Sequence, residues 1–540
     1  MENLDVVIVG GGHNGLVAAT YLAKAGKKVV ILEANSEIGG ATASVRAFPE
    51  FDARLSRYSY LVALLPDQIV SDLGLNFQTV PRKVSSYTPD LNGGGLYISR
   101  QWDQATQDSF ASIPDGVADA KAWQEFYGEI AEFAERIAPT MLQPLKTRDE
   151  LKAEIDLPSI WDYLIENPIG EVIEQRFKSD LVKGVVLTDA LIGTHTSAYD
   201  LQANICFLYH LIGNGTGEWK VPKGGMGALV AELERVAIAA GVEIRTNARV
   251  ASVTSDDNSA TAHLENGEKI SASYLLSNAA PQVLAKLRNQ KVPKSLPGAQ
   301  FKINILLKQM PRLKSGIAPE LAFAGTFHIS EKFSELEKSF AESSTGKLPV
   351  AFPSEMYCHT LSDPSILSPE LQAAGYQTLT LFGLHTPAEL FDVDNEEVKA
   401  QALTGFIAEL DKYLIDPIAD IVARNSDGSP CIEAKSPLDL DEAISLPRGN
   451  IFHSDLTFPF REDGENKRWG VETDDPRIFI CGAGAQRGGG VSCPPFNLQS
   501  VEMATERAIQ AGLPILQTHY YAENDAEHVL RLLQWLAPPQ

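Results

Sequence analysis

The sequence predicts an α/β fold in which a Rossmann-type nucleotide-binding domain is discontinuous and is interrupted by a second domain of helices and antiparallel sheet. Three stretches predict it. The chain opens on Asp5-Val6-Val7-Ile8-Val9-Gly10-Gly11-Gly12-His13-Asn14-Gly15, an apolar β-branched run ending in glycines at the spacing of a dinucleotide-binding turn. A helix followed by short strands near Val250 reads as the chain re-entering that domain. A second apolar strand, Arg477 to Cys481, again ends in glycines at Gly482 and Gly484, with Gly488-Gly489-Gly490-Val491 close behind.

Each glycine of the first turn has a separate physical role. Gly10 permits the tight turn, Gly12 lets the backbone approach a pyrophosphate without a Cβ in the way, and Gly15 lets the following helix pack close to the strand. The start of that helix then faces the anion. Residues Leu16 to Ala25 are good helix formers, Gly26 stops the helix, and Lys28 to Leu32 reads as a second strand ending at Glu33. A carboxylate there accepts hydrogen bonds from both ribose hydroxyls and repels a 2′-phosphate, which favours FAD or NAD over NADP. Gly39-Gly40-Ala41-Thr42 is a second glycine pair after the acidic residue, as in flavoproteins with two dinucleotide folds, and selects FAD.

Farther along, residues 81–146 read as irregular and then helical, with Trp123, Phe126, Tyr127, Ile130 and Phe133 at helical spacing, a stripe that reads as core packing. Leu151 to His210 reads as further helices of an inserted cap. After Pro222-Lys223-Gly224-Gly225-Met226-Gly227, a helix from Ala228 to Ala240 leads into strands at Val242–Arg245, Ala248–Val253, Thr261–Leu264 and Ile270–Leu276. Gln300–Lys308 and Tyr376–His385 alternate as strands, with an irregular insertion between them. Glu396–Leu414 reads as a helix capped by Asp392 or Asp394. The expected division is 1–80, 222–299 and 470–512 for the nucleotide-binding domain, 81–221 and 300–469 for a substrate domain, and 513–540 for a helical tail whose segment Asp525–Leu536 docks on the protein.

Composition narrows the function. Lys and Arg total 46 against 70 Asp and Glu, a net charge of −24, and such a surface repels nucleic acid. The five cysteines form no CxxC pair and the ten histidines show no ligand spacing, which argues for reduced thiols and against a metal site. No apolar run approaches the roughly 18 residues of a spanning helix. With the first strand starting so early in the chain, the expectation is a soluble cytoplasmic protein, while peripheral membrane association and a homo-oligomer stay open.

Taken together, Gly10-Gly11-Gly12-His13-Asn14-Gly15-Leu16, Leu55-Ser56-Arg57-Tyr58-Ser59-Tyr60, Pro222 to Leu229, Ser277-Asn278-Ala279, Gly449-Asn450-Ile451-Phe452-His453 and Cys481 to Gly484 resemble the phytoene-desaturase-like FAD oxidoreductases. The closest branch holds the cyanobacterial-type β-carotene ketolases and the pyridine nucleotide-disulfide oxidoreductase domain-containing protein 2 family. The resemblance implies a flavin-amine-oxidase-like architecture, FAD stretched between the first and last glycine motifs, and an apolar tunnel between domains. It also implies hydride transfer between a C–H bond of a lipophilic, carotenoid- or polyene-like substrate and flavin N5. By the family's pattern Gly10, Gly12 and Gly15 sit at the pyrophosphate, Glu33 at the ribose, Val250 at the adenine, and Gly489, Gly490 and Val491 at the flavin end. The same pattern places His13, Asn14, Ala34, Gly39, Gly40, Ala41, Thr42, Arg57, Tyr58, Ser59, Asn278, Ala279, Gly482 and Ala483 among the cofactor-binding residues.

Two departures fall where the family places the isoalloxazine ring. Many members read His-Pro where this chain has Gln486-Arg487, and a glycine-containing turn where it has Ser492-Cys493-Pro494-Pro495-Phe496. Substrate and reaction direction can therefore differ from carotenoid desaturation. Hydride transfer to a flavin needs no dedicated triad, and the sequence has none. By motif position the catalytic candidates are Arg487, Tyr58 and His453, while His195 and His210 read as structural. A flavin-containing isomerase without net redox, and a binding or assembly protein on the same fold, are the competing readings.

Overall fold

A computed structural model describes residues 4–215, 218–465 and 467–486. The β-branched run at the start of the chain forms the strand Leu4–Val9, which pairs in parallel with Val29–Leu32 on one side and Lys269–Ser277 on the other. Flanked on both faces, it carries a continuous apolar sequence, as buried parallel strands do. The full sheet runs Val250–Ser255, Ala260–Leu264, Lys269–Ser277, Leu4–Val9, Val29–Leu32, Glu243–Arg245, and Ile478–Ile480 adds in parallel to Lys269–Ser277. Three separate stretches of chain thus build one nucleotide-type sheet. The helices His13–Lys24 and Met226–Ala239 pack against it through Leu16, Ala19, Leu22, Leu229 and Leu233.

The second sheet runs Ile432–Lys435, Phe301–Leu307, Gln377–Gly383, Ser354–Tyr357, Thr326–Ile329, Val84–Pro89, Gly95–Ser99. Its pairings are antiparallel except where Thr326–Ile329 meets Val84–Pro89. Alternation sorts its residues onto two faces. Phe301, Ile303, Ile305, Phe327, Leu379 and Leu381 form a core with the helix Asn395–Asp411, whose N-terminus Asp394 caps by accepting the Glu397 N–H at 3.0 Å. The other face holds a polar row across four strands: Lys302 opposite Phe382, Phe382 opposite Glu355, and Glu355 opposite His328.

Two expectations are corrected here. The stretch between Lys308 and Tyr376 is not an irregular insertion: it supplies the strands Thr326–Ile329 and Ser354–Tyr357 and the helix Phe333–Ser343. Likewise the start of 81–146 is the hairpin Val84–Ser99 rather than irregular chain. Both strands of the insertion are four residues long and put His328 or Glu355 on a buried face, so their pattern imitates a surface loop. Pairing with neighbouring strands decides them.

A helical layer completes the molecule. Phe126, Ile130 and Phe133 of Gly116–Ile137 are buried in its core, with Trp123 and Tyr127 packed against it, so the aromatic stripe is packing as expected. Among the described residues no helix is long and apolar enough to cross a membrane. The helices expected at Leu498–Ala511 and Asp525–Leu536 lie outside the described residues.

Candidate functional site

Two cavities meet at Leu446, which lines both. The outer one is a cleft at the C-terminal ends of the parallel strands, where open α/β sheets bind ligands. Of the residues the sequence pattern assigned to the cofactor, Gly10, Gly12, His13, Asn14, Glu33, Ala34, Gly40, Ala41, Val250, Asn278, Ala279 and Ala483 line it, and so does the catalytic candidate His453.

Local chemistry explains the cleft's shape. Gly10 turns the chain at φ +102°, its N–H donates to Leu32 O at 2.8 Å, and its carbonyl accepts Asn278 Nδ2 at 3.2 Å. The helix starting at His13 has no side-chain cap at Gly12, and a helix start of this kind suits an anion. A Cβ at Gly12 would come within 2.8 Å of Asn278 Nδ2, so the position is kept bare. Asn14 Oδ1 is buried without a partner among the described residues. The buried Glu33 carboxylate is fixed by backbone, with Oε2 accepting the Gly11 N–H at 2.7 Å and Oε1 the Asn35 N–H at 2.8 Å. Each oxygen retains a second acceptor site. These residues fit a dinucleotide cofactor: a glycine cradle, an open helix start and an anchored acceptor.

Other predicted residues stand behind the wall rather than on it. A Cβ on Gly15 would lie 2.5 Å from Gly10 O, and one on Gly482 would lie 2.4 Å from Asn278 O, so both serve close packing. Gly39 takes φ +114° and Thr42 Oγ1 donates to its carbonyl at 2.6 Å, closing the second glycine turn. The Ser59 N–H donates to Ala41 O at 3.1 Å, and Arg57 pairs with Glu433 at 2.6 Å. Arg487, Gly489, Gly490 and Val491 lie outside the described residues. His453 sits at φ +65°, and burial together with His13 pushes it down to about 4, so it is neutral at physiological pH.

The inner cavity lies against the polar face of the second sheet. Of the sequence-predicted catalytic residues, Tyr58 alone among the described ones lines it, its phenol raised by burial. The rest of its ionisable wall escaped the sequence reading. Lys302 is 2% exposed, and burial pushes it down to about 7 against the opposing pull of Glu355. Its Nζ lies 4.1 Å from the centre of the Tyr60 ring, a cation–π contact, and the Tyr60 hydroxyl donates to Glu355 Oε1 at 2.5 Å. Burial raises both Glu355 and Asp189, the latter to about 7. Arg82 is lowered by burial but remains a cation. Next in the polar row, burial disfavours charge on His328, yet Glu331 at 2.7 Å holds it raised. His210, pushed down to about 4 by burial, stacks on Trp219 at 5.2 Å, so a histidine read as structural also faces the cavity. The one available signal was the placement of Lys302 and Asn304 inside an otherwise apolar strand.

A glycine cradle feeding an anchored acidic residue, joined to a second cavity on a mostly antiparallel sheet, defines a two-cavity dinucleotide-binding fold. The model of the family described as flavin containing amine oxidoreductase matches residues 15–306, more than half of the chain, and the chain belongs to this family. Its cofactor is FAD and it is an FAD oxidoreductase. An uncharacterized protein of Mycobacterium tuberculosis is 41% identical over 516 residues, covering 91% of this chain and 95% of that one. The pyridine nucleotide-disulfide oxidoreductase domain-containing protein 2 of Mus musculus is 29% identical over 547 residues, 90% and 91% of the two chains. A 4,4'-diaponeurosporene oxygenase of Staphylococcus aureus is 25% identical over 292 residues, 51% and 55% of the two chains. Among solved structures, cyclohexylamine oxidase from Brevibacterium oxydans shares the fold at a TM-score of 0.58 and 15% identity, covering 94% of this chain and 99% of that one.

Proposed function

We propose that FAD lies along the outer cleft and that the inner cavity holds a substrate with an apolar body, one of whose C–H bonds is oxidised. The observation that carries this reading is the meeting of the two cavities at Leu446. When bound, FAD supplies the two-electron acceptor, taking up a hydride at N5. The chain does the rest. Gly10, Gly12 and the start of the first helix hold the pyrophosphate, Glu33 accepts from the ribose, and Val250 covers the adenine. Leu61, Ile192, Phe382, Leu440, Leu446 and Ile451 line the inner cavity and exclude water from the reacting carbon. Fixing that carbon against the cofactor contributes on the order of 7–11 kcal/mol by orientation.

Support for a lipophilic body comes from those six side chains and from the printed function of the Staphylococcus relative, which acts on a diaponeurosporene. A plain polyene hydrocarbon meets only part of the wall, because it leaves Lys302 and Gln300 unsatisfied. Anaerobic mixing of the holoprotein with lipophilic compounds co-released on its denaturation tests the reading. Bleaching of the flavin band by one of them is expected. A holoprotein whose flavin is reduced by dithionite but by none of the ligands it carries overturns the assignment of the inner cavity as the oxidation site.

A further inference from the structure

The inner cavity contains more buried, unmet polar chemistry than an apolar substrate explains. Gln300 and Lys302 are two residues apart at the start of the strand Phe301–Leu307, so both project to the same face of the sheet and both line the cavity. They are 1% and 2% exposed. Neither amide atom of Gln300 nor Lys302 Nζ has a hydrogen-bond partner among the described residues. Buried side-chain polar groups are ordinarily satisfied, so three such atoms facing one cavity point to a ligand that satisfies them.

Arg82 is anchored on the same cavity. Its Nε donates to Trp219 O at 3.2 Å and its Nη1 to Thr326 Oγ1 at 2.8 Å, which fixes the guanidinium plane and leaves Nη2 without an acceptor among the described residues. The acids nearby are differently placed. Glu355 already accepts from Tyr60, and the charge of His328 is matched by Glu331. Burial works against ionisation of Asp189 and Glu355, whereas the guanidinium keeps its charge.

We propose that the inner cavity recognises a carboxylate-bearing amphipathic substrate, its two oxygens received by Lys302, Gln300 and Arg82 and its chain by the apolar wall. This rests on the reading of the inner cavity as the substrate site. A planar, singly charged group matches one ammonium and one guanidinium whose fork presents parallel donors. A phosphate monoester brings up to two charges against one guanidinium and one amine that burial pushes down, and fits less well. An amine would be placed beside the Arg82 cation, while burial works against ionisation of the two acids on the wall that could pair with it, Asp189 and Glu355.

Decanoate, decylamine and 1-decanol share one chain and differ in head group, so titrating each into the FAD-loaded protein at pH 7.5 isolates the recognition. Calorimetry and the flavin difference spectrum are the two readouts. Decanoate is expected to bind at least tenfold more tightly than either analogue. Lys302→Met is expected to weaken it roughly 10- to 100-fold, the range of a charged hydrogen bond, and Gln300→Leu by about 5-fold, with decanol affinity unchanged. Where Lys302→Met loses its FAD through misfolding, Gln300→Leu and Arg82→Gln carry the same test. Preference for decylamine, absence of decanoate binding to a holoprotein, or decanoate affinity indifferent to these substitutions overturns the carboxylate proposal while leaving the oxidoreductase reading intact. A protein that takes up no FAD at all overturns that underlying reading, and this one with it, through a separate measurement.

Discussion

The two cavities meet at one leucine but differ in how their polar groups are satisfied. In the outer cleft the turn is closed within the protein: Glu33 accepts from Gly11 and Asn35, and Asn278 donates to Gly10 O. In the inner cavity Lys302 Nζ and the Gln300 amide have no partner among the described residues, and Asp189 and Lys302 are both drawn to about 7 by burial. A turn whose groups are paired is preorganised and stands without its ligand, even though Asn14 Oδ1 and His453 Nδ1 on the same cleft have no partner among the described residues. A cavity whose groups are unpaired is destabilised until something enters it, and that destabilisation is available for recognition.

The largest effect expected is on the cradle's packing. Gly15→Val places a side chain where a Cβ would already lie 2.5 Å from Gly10 O, a backbone atom that cannot swing aside, with the Asn278 side chain next nearest at 3.2 Å. Overpacking of this kind costs about 1–3 kcal/mol or more. The variant is expected to purify without its flavin absorbance and with a lowered Tm. A yellow protein of normal stability would mean that the helix and the first strand are farther apart than the structure has them.

The inner cavity should respond in the opposite sense. Lys302→Met removes a buried amine without a hydrogen-bond partner among the described residues and is expected to stabilise the fold by about 1–3 kcal/mol while weakening ligand binding. The pH dependence follows. Between about 7 and 10.5 the folded chain has lost the Lys302 proton that the unfolded chain still binds, so this group makes stability rise with pH across that window. Between 3.8 and about 7 the folded chain keeps the Asp189 proton that the unfolded chain has released, so stability falls as pH rises there, and Glu355 adds in the same direction. Together they contribute a minimum near pH 7. Denaturant titrations across pH are expected to lose the upper limb in Lys302→Met and the lower limb in Asp189→Asn. Unchanged profiles in both would mean that the cavity is hydrated enough to ionise freely.

Glu33→Gln is expected to act on the cofactor more than on the fold. The amide can present only one acceptor oxygen, so one of the two backbone donors loses its partner, along with the charge-assisted bond to the ribose proposed for Glu33. A loss of about 1.5–3 kcal/mol, seen as at least a tenfold weaker FAD affinity in reconstitution titrations, is the expected outcome. Full occupancy at stoichiometric FAD would remove Glu33 from the ribose.

These contrasts also explain what could be read from the sequence. The cradle depends on residues with unusual backbone freedom at fixed spacing, so Gly10, Gly12, Glu33 and the returning Ser277-Asn278-Ala279 were visible in one chain. The inner wall depends on which strands lie side by side. Lys302, Glu355 and His328 come from strands far apart in sequence and meet only through sheet pairing, and two of those strands are four residues long with polar residues on a buried face. Local pattern does not carry that information. Gly15 and Gly482 illustrate a finer point: the motif located them, but close packing rather than a place on the cleft wall accounts for them.

Tyr58 links the two kinds of knowledge, since the motif proposed it and the inner cavity contains it. Its phenol is raised by burial, which outweighs the lowering by Arg57, and Glu433 adds a smaller rise, so the hydroxyl stays neutral through the physiological range. A neutral hydroxyl there can donate one hydrogen bond to a ligand but cannot serve as a base. Tyr58→Phe is therefore expected to have the smallest effect of the series, less than about 1.5 kcal/mol on stability, with FAD content unchanged and turnover lowered by no more than about tenfold. A loss of a thousandfold with the flavin still bound would exceed any single neutral hydrogen bond and would make Tyr58 a proton donor to the substrate, moving the chemistry of the cavity from the sheet's polar row to the motif that first identified it.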